Sequence, residues 1–408
     1  MSEHGPLTAL IRREIEAQGA ILFARFMELA LYAPGLGYYE REEPAIGRQG
    51  DFYTSVSVGS LFGELLAFRF AEELPKRGTP LQLVEAGAHD GRLAADILGW
   101  LHERRPADFA ALEYWIVEPS PRRRAWQEKT LAKFATRVRW SETLGEIPVT
   151  GYRMLFCNEL LDAFPVHRFG WDAREKRWFE WSVGWDDGRF VWRRMENLDS
   201  LALLNLSCDS LRPSRLCGSS IGSPTAEARR AQRAEEEAPS AASAGLVSAL
   251  RFPLSAFEDV LPDGYTLEVS PAAEEWWRQA AATLGHGQLL CLDYGLTDDE
   301  LFAPQRTQGT LRAYRQHRHA TDPLADPGEQ DLTAHVNFSA LQRAGEREGL
   351  TTETLVSQTQ FLTRIAARTW AKPESFGAWT PPRTRQFQTL THPEHLGRAF
   401  RVLIQSRD

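Results

Sequence analysis

Cysteine is scarce in this 408-residue chain, and the four present do no recognisable chemistry together. Cys157, Cys208, Cys217 and Cys291 form no Cys-x-x-Cys pair and no metal-spaced set with histidine. They read as incidental thiols of a reducing compartment, and no metal is expected. Long apolar runs are missing too. No stretch reaches the roughly 18 residues that span a bilayer, and the N-terminus lacks the layout of a signal peptide. Basic excess is absent: at a net charge of -8 no field draws nucleic acid or anionic lipid. The arginines at 122–124 read as the solvated face of a helix. No internal repeat is visible. These absences predict a soluble, cytoplasmic chain without membrane insertion or nucleic-acid partner. Its 43% hydrophobic and 25% charged content is ordinary for a globular enzyme.

What is present is a strand-helix alternation. Apolar residues at helical spacing over 7–32 suggest two short helices, and a third is expected over about 59–75. Between them the loop from Tyr32 to Ser60 is rich in glycine and aromatics, and loops of that length in compact proteins are usually functional. From 81 onward "LQLVEA", a helix at 91–104, "LEYWIVEP", a helix near 120–131, "RVRW" and "YRMLFCNE" follow one another. Near-continuous apolar strands separated by helices predict an α/β fold, a mostly parallel Rossmann-like sheet covered on both faces. "VHRFGWDAREKRWFEWSVGWDDGRFVWRRM" then alternates aromatic and polar residues, with turns at Asp172 and Asp187-Gly188, as an inserted antiparallel meander does. Residues 197–250 carry little large apolar surface and read as a surface insertion. "YTLEVSP", a helix with Trp276-Trp277, "GQLLCLDYG", helices near 337–348 and 358–371, "TTETLVS" and a final "AFRVLIQ" resume the alternation. The expected units are 1–80, 81–164, 165–263 and 264–408: an N-terminal extension, the first half of the core, meander with insertion, and the second half.

The first strand runs into Gly87-Ala88-His89-Asp90-Gly91-Arg92. In doubly wound sheets ligands bind beyond the carboxyl ends of the strands, where the strand order reverses. The turn misses two of the three glycines of the dinucleotide pattern. It fits better the E-x-G-x-G-x-G turn that binds S-adenosyl-L-methionine, with Glu85, Gly87 and Gly91 matching and His89 the one miss. Glu118 ends the second strand, where a carboxylate can accept both ribose hydroxyls of an adenosine; as an exposed strand-end acid it would need no function. "FCNELLDAFP" supplies Asn158, Glu159 and Asp162. Two carboxylates three residues apart share one side of a helical turn, at the edge where a substrate would enter.

With these residues assembled the chain resembles the MidA/NDUFAF-seven family of S-adenosylmethionine-dependent, protein arginine methyltransferases, formerly a domain of unknown function. The likeness runs through "FMELALYAPGLGYY", "IGRQGDFYTS", "VEAGAHDGRLAADIL", "NELLDAFPVHRF", "LEVSPAAEEWW", "LDYG" and "DPGEQDLTAHVNFSAL". It implies a class I methyltransferase sheet, the cofactor S-adenosyl-L-methionine, and a protein acceptor, with a respiratory complex subunit as one instance. The chain departs from the family at Ala88-His89-Asp90-Gly91 and at Val56-Ser57.

Methyl transfer is an in-line displacement, so the enzyme mainly aligns two partners. A guanidinium arrives charged and must be oriented and relieved of a proton, tasks that suit carboxylates. Glu159 and Asp162 are expected to do this, with Asp331 and His335 as a second wall. Gly50, Asp51, Phe52 and Thr54 are expected to fold over the cofactor, and Tyr38 and Tyr39 to shape the acceptor channel. His89 and Asp90 are expected to point away from the cradle. Two other classes stay open at this point: a non-catalytic assembly protein on the same fold, and a small-molecule methyltransferase. The insertion generates a first prediction. Residues 220–245 have too little apolar area to offset their ordering entropy. Replacing them with a short Gly-Ser bridge should shift the melting temperature by no more than a few degrees; a large drop in calorimetry would make the segment part of the core.

Overall fold

The computed structural model describes residues 5–40, 54–73, 81–195, 261–315, 318–394 and 396–408. Gly50, Asp51, Phe52, Cys208, Cys217 and the 197–250 insertion lie outside the described residues.

Seven strands form the central sheet: β1 (Leu81–Ala86), β2 (Glu113–Val117), β3 (Val138–Ser141), β4 (Tyr152–Asn158), β5 (Gly287–Leu296), β6 (Thr351–Ser357) and β7 (Phe400–Arg407). Their order is β3-β2-β1-β4-β5-β7-β6, with Val336–Asn337 added at the end of β5. β1 to β5 run parallel, and β7 runs antiparallel to both neighbours. This is the expected mostly parallel α/β sheet. Successive β1 residues face opposite ways, so Leu81 and Leu83 join one core while Val84 and Ala86 join the other. Helices Leu61–Ala71, Arg92–Arg104 and Gln358–Ala371 cover the first face with Phe62, Leu65, Ile97, Phe361 and Ile365. Helices Pro271–Thr283 and Phe338–Arg347 cover the second with Trp277, Ala281 and Leu341. Strand order reverses between β1 and β4, which opens a crevice beyond their carboxyl ends.

The meander forms where its aromatics predict, as His167–Asp172, Arg177–Asp186 and Arg189–Met195, all antiparallel. Asp172 closes one turn by accepting the Arg174 and Glu175 N–H groups at 3.0 Å. Asp187 and Gly188, with φ of 44° and 77°, make the other. Two findings differ from the expected units. Thr266–Val269 from "YTLEVSP" pairs with His167–Gly170 at the edge of the meander and not with the central sheet. A short apolar strand fits either sheet, and the isolated sequence does not choose. Arg312–Arg315, Arg318–Ala320 and Asp331–Thr333 form an unforeseen three-stranded antiparallel sheet. The N-terminal helices Pro6–Gln18 and Phe23–Tyr32 pack between this sheet and the meander, burying Ile11, Phe26, Val183, Ala313 and Leu332 together. Ile21–Leu22 joins them to Ser182 and Val183 as a short antiparallel strand.

Candidate active site

The crevice holds a partly open cavity. Glu85, Gly87, His89 and Asp90 line it from the β1 turn, Asn158 and Glu159 from the end of β4, and Thr54 and Ser57 from the short helix Ser55–Val58. The turn is built on left-handed backbone: Gly87, His89 and Gly91 have φ of 75°, 47° and 83°. Glycine adopts this freely, and histidine is among the few side chains that visit it. A Cβ on Gly87 would meet Leu160 Cδ1 at 2.8 Å, so the β1 turn and the β4 exit touch. Asp90 accepts the Arg92 N–H at 3.2 Å and pairs with the Arg92 guanidinium at 2.9 Å, which ties its carboxylate to the start of the helix. His89 and Asp90 both line the cavity.

Glu85 is buried, and Tyr114 donates its hydroxyl to Oε2 at 2.6 Å. Burial pushes its carboxyl up to about 7 against that hydrogen bond. Asn158 Oδ1 is buried without a hydrogen-bond partner among the described residues. Such an atom costs free energy until a donor reaches it. Glu118 does not line the cavity. It accepts the Ser120 N–H at 2.9 Å, Arg123 Nε at 3.0 Å and Gln127 Nε2 at 2.9 Å. Gln127, which no sequence signal singled out, also donates to the His89 carbonyl at 3.0 Å. The second-strand acid thus reaches the glycine turn through a buried amide.

Beside the cavity sits a group of carboxylates. Glu159 is not helical: its φ is 51°, and Leu161–Ala163 is a single tight turn. The expected side-by-side pair on one helical turn is therefore corrected. The two acids converge because the chain reverses sharply at Glu159. Glu159 Oε1 accepts the Ser55 N–H at 3.0 Å and Asn158 Nδ2 at 3.2 Å. Burial, and then Asp293 and Asp331, raise its carboxyl to about 8. Burial and the charges of Asp293, Asp331 and Glu159 hold Asp162 well above the usual range. Asp331 reaches the group from the three-stranded sheet, where Tyr39 donates to its Oδ1 at 2.8 Å. Asp293 on β5 was not foreseen: a lone acid inside "GQLLCLDYG" carries no sequence signal. Burial raises it to about 7. Among the described residues no His, Cys, Asp and Glu group is arranged to hold a metal ion.

His335 is the misplaced expectation. After Asp331–Thr333 the chain bends at Ala334, whose N–H goes to the Asp162 carbonyl at 2.9 Å, and Val336 then pairs with Gly295 of β5. That path carries His335 into a second cavity, lined also by Leu161, Glu268 and Glu274. Burial lowers its imidazole to about 4, so it is neutral there at physiological pH.

The raised carboxyls set a pH dependence. Well below the ordinary carboxylate range the acids are neutral both folded and unfolded. Between that range and about 8 the folded protein keeps on Glu159 a proton that the unfolded chain releases, so this stabilisation fades as pH rises. The ligand-free protein should melt progressively lower from about pH 5 to about pH 8.5, and Glu159→Gln should flatten that fall. Scanning calorimetry of both proteins checks it; parallel slopes would clear Glu159 of responsibility.

Residues 65–356 match the family described as "Putative S-adenosyl-L-methionine-dependent methyltransferase". A crystal structure of a Burkholderia thailandensis protein bound to S-adenosyl-homocysteine is similar with a TM-score of 0.73 at 31% identity, covering 100% of this chain and 95% of that one. "Protein arginine methyltransferase NDUFAF7 homolog, mitochondrial" of Drosophila melanogaster is 27% identical over 98% of this chain and 85% of its own length. The Mus musculus "Protein arginine methyltransferase NDUFAF7, mitochondrial" is 26% identical over 98% and 84%. The chain belongs to this family of S-adenosylmethionine-dependent methyltransferases.

Proposed function

We propose that the chain transfers a methyl group from S-adenosyl-L-methionine to an arginine side chain of a protein. The observation that carries this reading is the convergence of Glu159, Asp162 and Asp331 beside the cofactor cavity, where Glu159 and Asp162 each face the charges of Asp293 and Asp331. Buried like charges stay protonated unless a cation joins them. A guanidinium is such a cation, and its planar fork matches carboxylate geometry. The names of the fly and mouse relatives point the same way. The acceptor is a protein met in the cytoplasm, a respiratory complex subunit being the instance that the family resemblance implies.

The residues present suit the cofactor. Gly87 and Ala88 bring backbone to the cavity wall, Asn158 Oδ1 lacks a donor, and Glu85 is an acid inside it. When bound, S-adenosyl-L-methionine supplies an electrophilic methyl on a sulfonium. Asp162 and Asp331 would orient the guanidinium, with Tyr39 fixing Asp331. Glu159 lines the cofactor cavity and stands beside these acids; once the bound guanidinium has displaced the Glu159 proton to solvent, its carboxylate is placed to take the guanidinium proton as the nitrogen-methyl bond forms. Glu118 is assigned the ribose by its strand-end place, and meeting it requires an oxygen not wholly occupied by Arg123 and Gln127.

Two outcomes follow. Gly87→Val puts a branched side chain on left-handed backbone against Leu160 and should abolish cofactor binding in calorimetry; undiminished binding by the folded variant would remove the turn from the site. Asp162→Asn and Glu159→Gln should each lower turnover roughly 100-fold, with cofactor affinity in Asp162→Asn within a few fold of normal. The assay is transfer of label from S-adenosyl-L-methionine to lysate protein, followed by hydrolysis to methylarginine. Normal turnover in both variants, or label in a small molecule, would sink the reading.

A further inference from the structure

Asp293 differs from the other acids of the cluster in what its oxygens do. Oδ2 accepts the N–H groups of Leu160 at 3.1 Å and Leu161 at 2.8 Å, and Oδ1 accepts its own neighbour Tyr294 N–H at 2.8 Å. The side chain is fully buried. A carboxylate spread over three backbone donors is not free to swing onto a substrate. Its place in the sheet explains its reach. Leu292, one residue earlier, is the last β5 residue in register with β4, opposite Asn158. The Leu292 carbonyl takes the Glu159 N–H at 2.9 Å. Consecutive N–H groups at 159, 160 and 161 are thus all held by the end of β5. This holds Glu159 at its φ of 51°, a conformation a non-glycine residue adopts only when its surroundings impose it.

We propose that Asp293 is the positioning residue of the acceptor pocket: fastened to the Leu160 and Leu161 N–H groups, it fixes the turn that presents Glu159 to the cofactor cavity and Asp162 to the acceptor. The kinetic side of this inference rests on the arginine reading above, while its structural side does not. Asp293 also acts on Glu159 through space. The groups facing Glu159 are Asn158 and the Ser55 N–H beside it, Asp293 and Tyr294 on β5, Asp162 on its own loop, and Asp331 from the three-stranded sheet; Glu85, His89, Asp90 and Arg92 share its cavity. Among these the Asp293 charge is the leading electrostatic cause that keeps the Glu159 carboxyl high.

The test is Asp293→Asn, whose amide oxygen can still accept the Leu160 and Leu161 N–H groups, while its amide nitrogen carries no charge and cannot accept the Tyr294 N–H. Carbon-13 NMR titration of the Glu159 carboxyl reads the coupling without any acceptor present. The midpoint should fall by about one pH unit or more in the variant. An unchanged midpoint in a folded variant overturns the inference. Turnover should fall roughly tenfold or more through kcat, with the acid limb of the pH profile moving down in step. In the Glu159→Gln background the same substitution should add little, because the residue it positions is already gone. A full multiplicative loss with an unmoved pH limb would mark Asp293 as merely structural and overturn the inference. Should Glu159→Gln and Asp162→Asn both turn over normally, the arginine reading fails while the NMR midpoint still decides this one. If Asp293→Asn does not fold, Asp293→Glu keeps the charge on a longer stem. It should shift the Glu159 carboxyl resonance and lower kcat, and a wild-type kcat there would equally overturn the proposal.

Discussion

Three hydrogen bonds from the end of β5 hold the chain as it leaves β4, through the N–H groups of Glu159, Leu160 and Leu161. The reacting face depends on this constraint. A chain leaving a parallel strand has no obligatory direction. Here it is turned back immediately, beside the point where the sheet order reverses. The turn puts Leu160 against Gly87 and brings Glu159 into the wall of the cofactor cavity. Cofactor turn and acceptor acids are therefore one packed unit, joined by a leucine side chain on one side and a carboxylate on the other.

The acids in that unit are held in a protonation state the free residues would not have. Burial contributes most for Glu159, Asp162 and Asp293, and mutual repulsion adds to it in the first two. Burying several carboxylates together destabilises the empty protein at neutral pH, which is the cost of a site ready for a cation. The same charges in water would be screened and would select nothing.

Much of the architecture was legible in the residues alone, for physical reasons that also mark the limits. The seven central strands, the two opening helices and the meander announce themselves by apolar period and by Asp172 and Asp187-Gly188 turns. Strand length decides where this stops. Arg312–Arg315, Arg318–Ala320 and Asp331–Thr333 are three or four residues long and largely polar, so no period exists to read. Thr266–Val269 has a clear period but joins the meander, because apolar alternation does not name the partner sheet. In the site, Glu85, Gly87, Asn158 and Glu159 were found through strand ends and do line the cavity. Asp331 joins the cluster, and His335 leaves it at the Ala334 bend. Asp293 was missed since its role lies in backbone groups 132 and 133 residues away in the chain.

The wall around the proposed acceptor acids is assembled from distant parts of the chain. Tyr39 comes from the N-terminal segment, Asp162 from the exit of β4, and Asp331 from the small sheet, whereas the cofactor cavity is drawn mainly from β1, β4 and the helix at Ser55–Val58. Tyr32 adds a second tie from the N-terminal helices by donating to the Ala163 carbonyl at 3.0 Å. The proposed acceptor wall thus takes Tyr39 and Asp331 from outside the central sheet, while Asp162 shares the exit of β4 with the cofactor cavity. Remodelling the N-terminal helices or the small sheet would change which side chain is admitted and leave the methyl donor's seat intact. A sheet of this order can in that way be re-equipped for a new acceptor by exchanging its attachments, with the donor machinery carried over unaltered.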